Sequence, residues 1–297
     1  MDGFNIFLGI VSFGTLSYTA KQQYNINSAD KKLKQFIKTK IFSPKDLFFG
    51  IKEKEAYLVN LFKDYGKNEI SGKVFVEGVP HTDLPVIGKI NKQKLLHGIY
   101  FKEDIFSNDG IRASNMDGKK FKIPSEAKPE TVHTFQLKDY DGSRHCLVKN
   151  NNDTGEPPNY EDALELIASK DEIRDLNFIE KFLAFVCMLW DYMSFLQGGS
   201  GLRGIRIGVR EKEVGIKIES FLTVYGEVIY NFDKQQLRIE NPEYFLKNKT
   251  SLLDTLKEYI SSCKTARFIS GFIGFLCLGI LGYRFYQKRR RDAIQQH

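Results

Sequence analysis

Two uncharged stretches stand near the ends of this 297-residue chain, and between them the apolar positions pass from helical spacing to strand-like alternation. Phe4 to Ala20 carries no charge over 17 residues, and Phe268 to Tyr283 none over 16, the second bracketed by Arg267 and Arg284. At about 1.5 Å per residue each predicts a helix of roughly 24 to 26 Å, slightly short of a hydrocarbon core of about 30 Å. Tyr18, Tyr24, Tyr283 and Tyr286 can sit at the headgroups, and Arg267 and Arg284 can snorkel, so both stretches are expected to span. Only Asp2 precedes the first stretch by way of charge, and Tyr18 fits poorly three positions before a cut near Ala20. An uncleaved anchor is therefore expected rather than a signal peptide. Lys288, Arg289, Arg290 and Arg291 read as a stop-transfer flank after the second stretch. Ser270 with Gly274, and Gly14 with Ser17, offer small-residue faces for close helix packing.

Between the anchors, Asp30 to Phe42 sets Leu33, Phe36, Ile37 and Ile41 at roughly helical spacing until Pro44. Glu53 to Tyr65 gathers Leu58, Leu61, Phe62 and Tyr65 on a second helical face. From Ser71 the period falls to two, and Lys73 to Gly78, Lys94 to Phe106 and Val132 to Leu137 read as strands. The turn Asp139-Tyr140-Asp141-Gly142 then leads into Cys146-Leu147-Val148 as a hairpin return, and Asn150 to Asn159 reads as a surface loop. Asp175 to Gln197 reads as a helix with nine uncharged residues between Lys181 and Asp191, about 14 Å and too short to cross a bilayer. Its Phe182, Phe185, Trp190 and Phe195 exceed what one core face needs, which points to contact with a partner or with the membrane.

After Gly198 to Gly204 the apolar positions alternate: Ile205, Ile207, Val209, Val214, Ile216, Ile218, Val228, Tyr230, Leu237 and Ile239. With turns expected at Glu211 to Glu213 and Asn231 to Lys234, this predicts an antiparallel meander with one wet face. Tyr244 to Cys263 is expected as a last helix, capped near Thr250 or Ser251. The fold class that follows is α+β: a β-rich antiparallel domain with packed helices, flanked by N- and C-terminal transmembrane helices. Its expected divisions are a transmembrane helix over 4–20, a helical linker over 21–70, an α+β domain over 71–265, a transmembrane helix over 267–286 and a basic tail over 287–297.

Composition narrows the chemistry. Hydrophobic residues at 42% are ample for a core, which excludes wholesale disorder. Cys146, Cys187, Cys263 and Cys277 stand at least 14 positions apart, which excludes zinc sites built on CxxC pairs and any dense disulfide scaffold. Gly198 to Gly204 follows a helix and precedes a strand, the reverse of a phosphate-binding loop. His145 and Cys146 are strand neighbours and point to opposite faces, so they make no thiol–imidazole pair. The net charge of +7 gathers around the apolar ends rather than on one aromatic-studded face, which disfavours nucleic acid as a partner. Neither a cofactor, a metal nor an active site is expected.

The order of elements resembles the MULAN/GIDE family of mitochondrial membrane-anchored ubiquitin ligases. Val74-Phe75-Val76-Glu77-Gly78 is similar to that family's V-x-V-E-G strand, and Val132 to Leu137 with Asp141-Gly142 and Val148 to its hairpin. Glu180-Lys181-Phe182 matches its helix, Leu222-Thr223-Val224 with Gly226-Glu227 its L-T-V-x-G-E signature, and Leu252 to Arg290 its linker, second anchor and basic exit. The family's ligases carry a RING beyond the second anchor, whereas the 14 residues after Tyr283 hold no cysteine.

The resemblance therefore implies the domain and a mitochondrial membrane address without direct ligase chemistry. The expected protein is not an enzyme but a structural or accessory subunit of a membrane complex, a respiratory-chain complex being one version. Its partners are membrane lipids and other subunits. It would be two-pass in the inner membrane, or the outer one by family analogy, with 21–265 facing the intermembrane space. The basic tail favours tails on the positive-inside face, although Lys21, Lys31, Lys32 and Lys34 crowd the other. The alternatives are a ligase component that works with a RING supplied in trans and a membrane-tethered adaptor. Expected contact residues are Phe182, Phe185, Trp190 and Phe195 on the apolar helix, and Arg267, Arg284, Lys288, Arg289, Arg290 and Arg291 at the headgroups.

Overall fold

A computed structural model of the chain describes residues 3–107, 123–150, 158–160, 162–196 and 204–295. Two units separate by internal contacts: Met1–Lys40 with Lys249–His297, and Ile41–Asn248. These divisions fall at 40/41 and 248/249 rather than at 70/71 and 265/266. The residues expected as the second half of a linker instead supply strand β1 (Ile41–Phe42) and helices α2 (Pro44–Lys52) and α3 (Ala56–Leu61) to the β unit. Ser43 caps α2 by accepting from the Asp46 N–H at 3.1 Å, and Pro44 opens it.

The first unit is a pair of long helices, α1 (Gly3–Lys38), begun and ended by the chain order given above, and, last in the chain, a helix over Lys249–Gln295. At about 1.5 Å per residue their 36 and 47 residues run roughly 54 and 70 Å. The Lys-rich stretch from Asp30 is therefore a continuation of α1 and not a separate helix; it ends at Lys38, before Ile41 and Phe42 turn extended.

Among the described residues the β unit contains eleven further strands. They are β2 (Lys63–Gly66), β3 (Glu69–His81), β4 (Val86–Ile87), β5 (Lys94–Phe106), β6 (Pro129–Thr131), β7 (Thr134–Lys138), β8 (His145–Lys149), β9 (Glu165–Ile173), β10 (Arg206–Lys217), β11 (Leu222–Asn231) and β12 (Gln236–Leu246). Helix α4 (Phe178–Leu196) lies between β9 and β10, and the last helix, over Lys249–Gln295, is α5.

Five strands close on themselves in the order β3-β11-β12-β8-β7 and back to β3. A ring with an odd number of strands cannot alternate direction all the way round, so one neighbouring pair must be parallel. That pair is β8 with β12, and the other four pairs are antiparallel. Numbered along the chain, the ring runs 1-2-3-5-4-1 with strands 3 and 5 parallel, the connectivity of an OB barrel. Alternate residues fill it: Val74 and Val76, Phe135 and Leu137, Cys146 and Val148, Val224 and Val228, Leu237 and Ile239 are all buried. Leu47, Phe48 and Ile51 of α2, with Leu58 and Phe62, join the same core.

The chain leaves the barrel twice. Residues between β3 and β7 supply β4, β5 and β6, and residues between β8 and β11 supply β9, α4 and β10. Together these excursions make a second sheet, β4-β5-β10-β9, with β6 on β5. The expected meander is thus corrected: β10 pairs with β5 and β9, whereas β11 pairs with β3 and β12. Its wet face is corrected as well, because eight of the ten β11 residues are buried.

Glu211 to Glu213 is no turn but runs straight through β10, where Lys102–Glu211 and Lys212–Glu103 ion pairs at 2.6 Å join neighbouring strands. Tyr244 to Leu246 belongs to β12, so the last helix begins at Lys249. Most of the expected loop over 150–159 and of the glycine run over 198–204 lies outside the described residues.

Candidate functional site

The two helices of the first unit meet along a seam with heptad spacing. On α1 the buried and half-buried positions include Leu8, Ser12, Thr15, Thr19, Gln22, Ile26, Ala29, Leu33 and Phe36, separated alternately by four and three residues. On α5 they include Leu252, Leu256, Ile260, Cys263, Arg267, Ser270, Gly274, Cys277 and Leu281. Such a repeat keeps one stripe of each helix on its partner.

The chemistry of seam and exterior reverses partway along. Between Gln22 and Phe36 the seam is apolar, with Ile26, Ala29, Ile260 and Cys263 packed together, and the outside carries Lys31, Lys32, Lys34 and Lys38. Between Leu8 and Thr19 the seam is small and polar. Ser12 Oγ donates to the Gly274 carbonyl at 3.2 Å, and the Thr19 and Ser270 hydroxyls share a hydrogen bond of 2.8 Å. A Cβ on Gly274 would lie 2.9 Å from Thr15 Oγ1 and 3.0 Å from Leu16 Cγ, so only glycine admits this approach. Outside the same segment Phe7, Phe13, Phe268, Phe272 and Phe275 are exposed by 59 to 77%. In water such a helix pair would be inside out; in lipid, small and hydroxyl residues form the contact and apolar ones face the solvent.

Among the described residues one helix is long and apolar enough to cross a membrane: Lys249–Arg291 within α5, with a mean hydropathy of 1.7 in its most apolar window. That window is only 11% buried. α1 does not reach the same mark.

The residues expected at the headgroups frame the apolar segment. Arg267 donates to the Gln23 side-chain oxygen, and Arg284 donates to Asn5 Oδ1 at 3.2 Å with its guanidinium 4.8 Å from the Phe4 ring centre. Lys288, Arg289, Arg290 and Arg291 are exposed. Ser270 and Gly274 face the seam as their spacing suggests, but Gly14 and Ser17 are exposed, and a Cβ at Gly14 would meet nothing.

The second surface is α4. Asn177 and Glu180 form a capping box: Asn177 Oδ1 accepts from the Glu180 N–H at 2.8 Å, and Glu180 accepts from the Asn177 N–H at 3.1 Å. Arg174, at the end of β9, holds Glu180 at 3.0 Å, and its N–H donates to the Ile207 carbonyl of β10. The helix is thereby fastened to a ribbon of β5, β10 and β9. Past this cap, Phe178, Ile179, Phe182, Leu183, Phe185, Val186, Leu189 and Trp190 are all exposed, Phe182 at 61% and Trp190 at 60%. At 100° per residue they fill one half of the helix circumference, and Glu180, Ala184, Cys187 and Met188 fill the other. The side chain of Phe195 lies outside the described residues.

Several chemistry-bearing side chains elsewhere are occupied structurally. Cys146 is wholly buried in the barrel, which pushes its thiol pKa up, and His145 beside it is exposed on the other face. His97 is buried; its ring stacks on Tyr160 at 4.1 Å, Nδ1 lies 2.7 Å from the Thr131 hydroxyl, and burial lowers its pKa to about 4. The buried Glu213 carboxylate accepts from the Lys89 and Ile90 N–H groups at 2.6 and 3.2 Å. Glu69 takes a two-pronged bond from Arg238 at 2.8 and 2.9 Å, which with Asn231 lowers its pKa to about 2. No group of His, Cys, Asp and Glu that would hold a metal occurs among the described residues.

The α4 surface was legible from its surplus of aromatics, whereas the reversal along the hairpin was overlooked although its heptad spacing stands in the sequence. No family model matches the chain, and neither a curated protein nor a solved structure matched it.

Proposed function

We propose that this protein is a non-catalytic, membrane-anchored accessory subunit whose α1 and α5 both span a bilayer and whose α4 docks onto another protein of the same assembly. The reversal of seam and exterior in the hairpin carries this reading. No window of α1 reaches the mark that α5 does, but over Phe7 to Thr19 it likewise turns Phe7 and Phe13 outward and hydroxyls inward, with Ser12 and Thr19 bonded to α5. A lone α5 in lipid would leave Ser270 without that partner.

A mitochondrial membrane, inner for a respiratory complex and outer by family analogy, is supported by the MULAN/GIDE resemblance. Residues 41–248 would then face the intermembrane space. The eight exposed apolar side chains on one half of α4 form a contiguous patch, the kind of surface that marks an interaction site. Its uncharged core is too short to span, which favours a groove on a neighbouring subunit.

The test is gentle solubilisation, separation of native complexes by size and identification of what co-migrates. The chain is expected in a complex well above its own 34.2 kDa. The double substitution Phe185→Asp and Trp190→Asp is expected to release it as a membrane-bound monomer. Co-migration unchanged by that pair would contradict docking through α4.

A further inference from the structure

The geometry points to a phosphate-binding pocket on the barrel, between α2, the β7–β8 turn and the β11–β12 turn, with Arg144 as its anchor. The pocket has a volume of about 390 Å³ and is lined by Phe48, Ser143, Arg144, His145, Lys234 and Gln236, among others. That lies within the range of small-molecule pockets, roughly 300 to 1,000 Å³.

Arg144 is set apart by what it lacks. Of the five arginines described in the β unit, four hold carboxylates: Arg174 with Glu180, Arg206 with Asp104, Arg210 with Asp171 and Arg238 with Glu69, at 2.7 to 3.0 Å. Arg144 has no carboxylate within ion-pair distance among the described residues. Its guanidinium carbon instead lies over aromatic rings, 4.0 Å from the centre of the buried Phe48 ring and 5.9 Å from that of Phe49. Aromatic support fixes the fork without using its five N–H donors.

The nearest acids are turned elsewhere. Asp141 takes Lys45 at 2.7 Å and the Ser143 N–H at 2.8 Å, which hold its carboxyl well below the usual carboxylate range, and Asp139 adds to the field on the same lysine. Asp233 accepts twice from Asn68 at 3.1 Å. Lys234 also lines the pocket, exposed and with no ion pair among the described residues. A preorganised fork, a second cation, an imidazole, a hydroxyl and an amide exceed what a carboxylate can use and suit the three terminal oxygens of a phosphate monoester. The volume leaves room for the organic group that carries it.

Two sources share that chemistry, a soluble phosphorylated compound and the headgroup of a phosphomonoester lipid. The experiment is isothermal titration of the full chain in phosphatidylcholine nanodiscs with inorganic phosphate, glycerol 3-phosphate and a short-chain phosphatidic acid. Saturable binding is expected, at least tenfold weaker for Arg144→Gln and for Lys234→Ala and unchanged for Lys73→Ala, which removes a cation at a distant ion pair. Equal binding of the two organic probes assigns a soluble ligand; preference for phosphatidic acid assigns a lipid. Lys234→Ala touches no core residue, so it keeps the test valid if Arg144→Gln melts early. No saturable binding to the wild-type chain, or binding that both variants retain at full strength, overturns the site.

Discussion

His97 shows how one residue ties the excursion sheet to the barrel. Its ring stacks on Tyr160, which stacks in turn on Phe245 of β12 at 4.8 Å. The imidazole is held neutral, with a pKa of about 4 against 6.5 for the free side chain. The unfolded chain therefore binds more protons between those values, and stability falls as pH drops from about 6.5 to 4. At about 1.36 kcal/mol per pKa unit the loss is on the order of 3 kcal/mol, and the contribution is flat above pH 7. Urea titrations across this range are expected to show that slope in the wild-type chain and to lose it in His97→Phe; parallel profiles would contradict a neutral, buried His97. Gly274 is the corresponding position in the hairpin. Gly274→Val forces the helices apart at Thr15 and Leu16 and is expected to destabilise their pairing by about 1 to 3 kcal/mol. Disulfide trapping through a cysteine introduced at Ala29 against Cys263, with and without Gly274→Val, reads that directly.

At the scale of elements, the sequence disclosed what lies in local periodicity. Lys94 to Phe106 is β5 to the residue, the Asp139 to Gly142 turn sits where expected, and the helix near Asp175 begins at Phe178. Partnership is another matter. Alternation in β10 and β11 looks alike, yet one strand joins the excursion sheet and the other the barrel, because pairing depends on β3 and β5, more than a hundred residues earlier. Polar β9, with Lys170, Asp171 and Glu172 in succession, has no apolar alternation to reveal it; its ion pairs do the work, Arg210 with Asp171 among them. α2 was hidden because Pro44 reads as a stop when it is in fact a first-turn residue. For α4 the capping box is the local determinant. Asn177→Ala is expected to cost about 1 kcal/mol locally. Hydrogen exchange should accelerate over Phe178 to Lys181 while the barrel amides stay protected; equal acceleration in both would mean that α4 is part of the global core.

At the scale of the whole molecule, one polypeptide carries two units with opposite patterns of apolar exposure. Outside α4, the β unit buries most of its apolar residues in a closed ring and joins the strands of its ribbon with ion pairs. The hairpin buries apolar residues only from Gln22 to Phe36, 15 residues or about 22 Å, and then reverses. Fold class and the long apolar C-terminal helix were legible because both rest on composition along the chain. The pocket around Arg144 was not, because it depends on two turns about ninety residues apart and on what each neighbouring carboxylate is already bonded to.

The topology of α1 is the claim on which the rest depends. Protease protection in sealed vesicles, with one epitope tag ahead of Met1 and another after His297, measures it. If both helices span, the two tags are digested or spared together, and residues 41–248 show the opposite behaviour. An amino-terminal tag that shares the fate of the β unit instead, with the carboxy-terminal tag alone across the bilayer, would leave α5 as the single anchor and contradict the two-span hairpin.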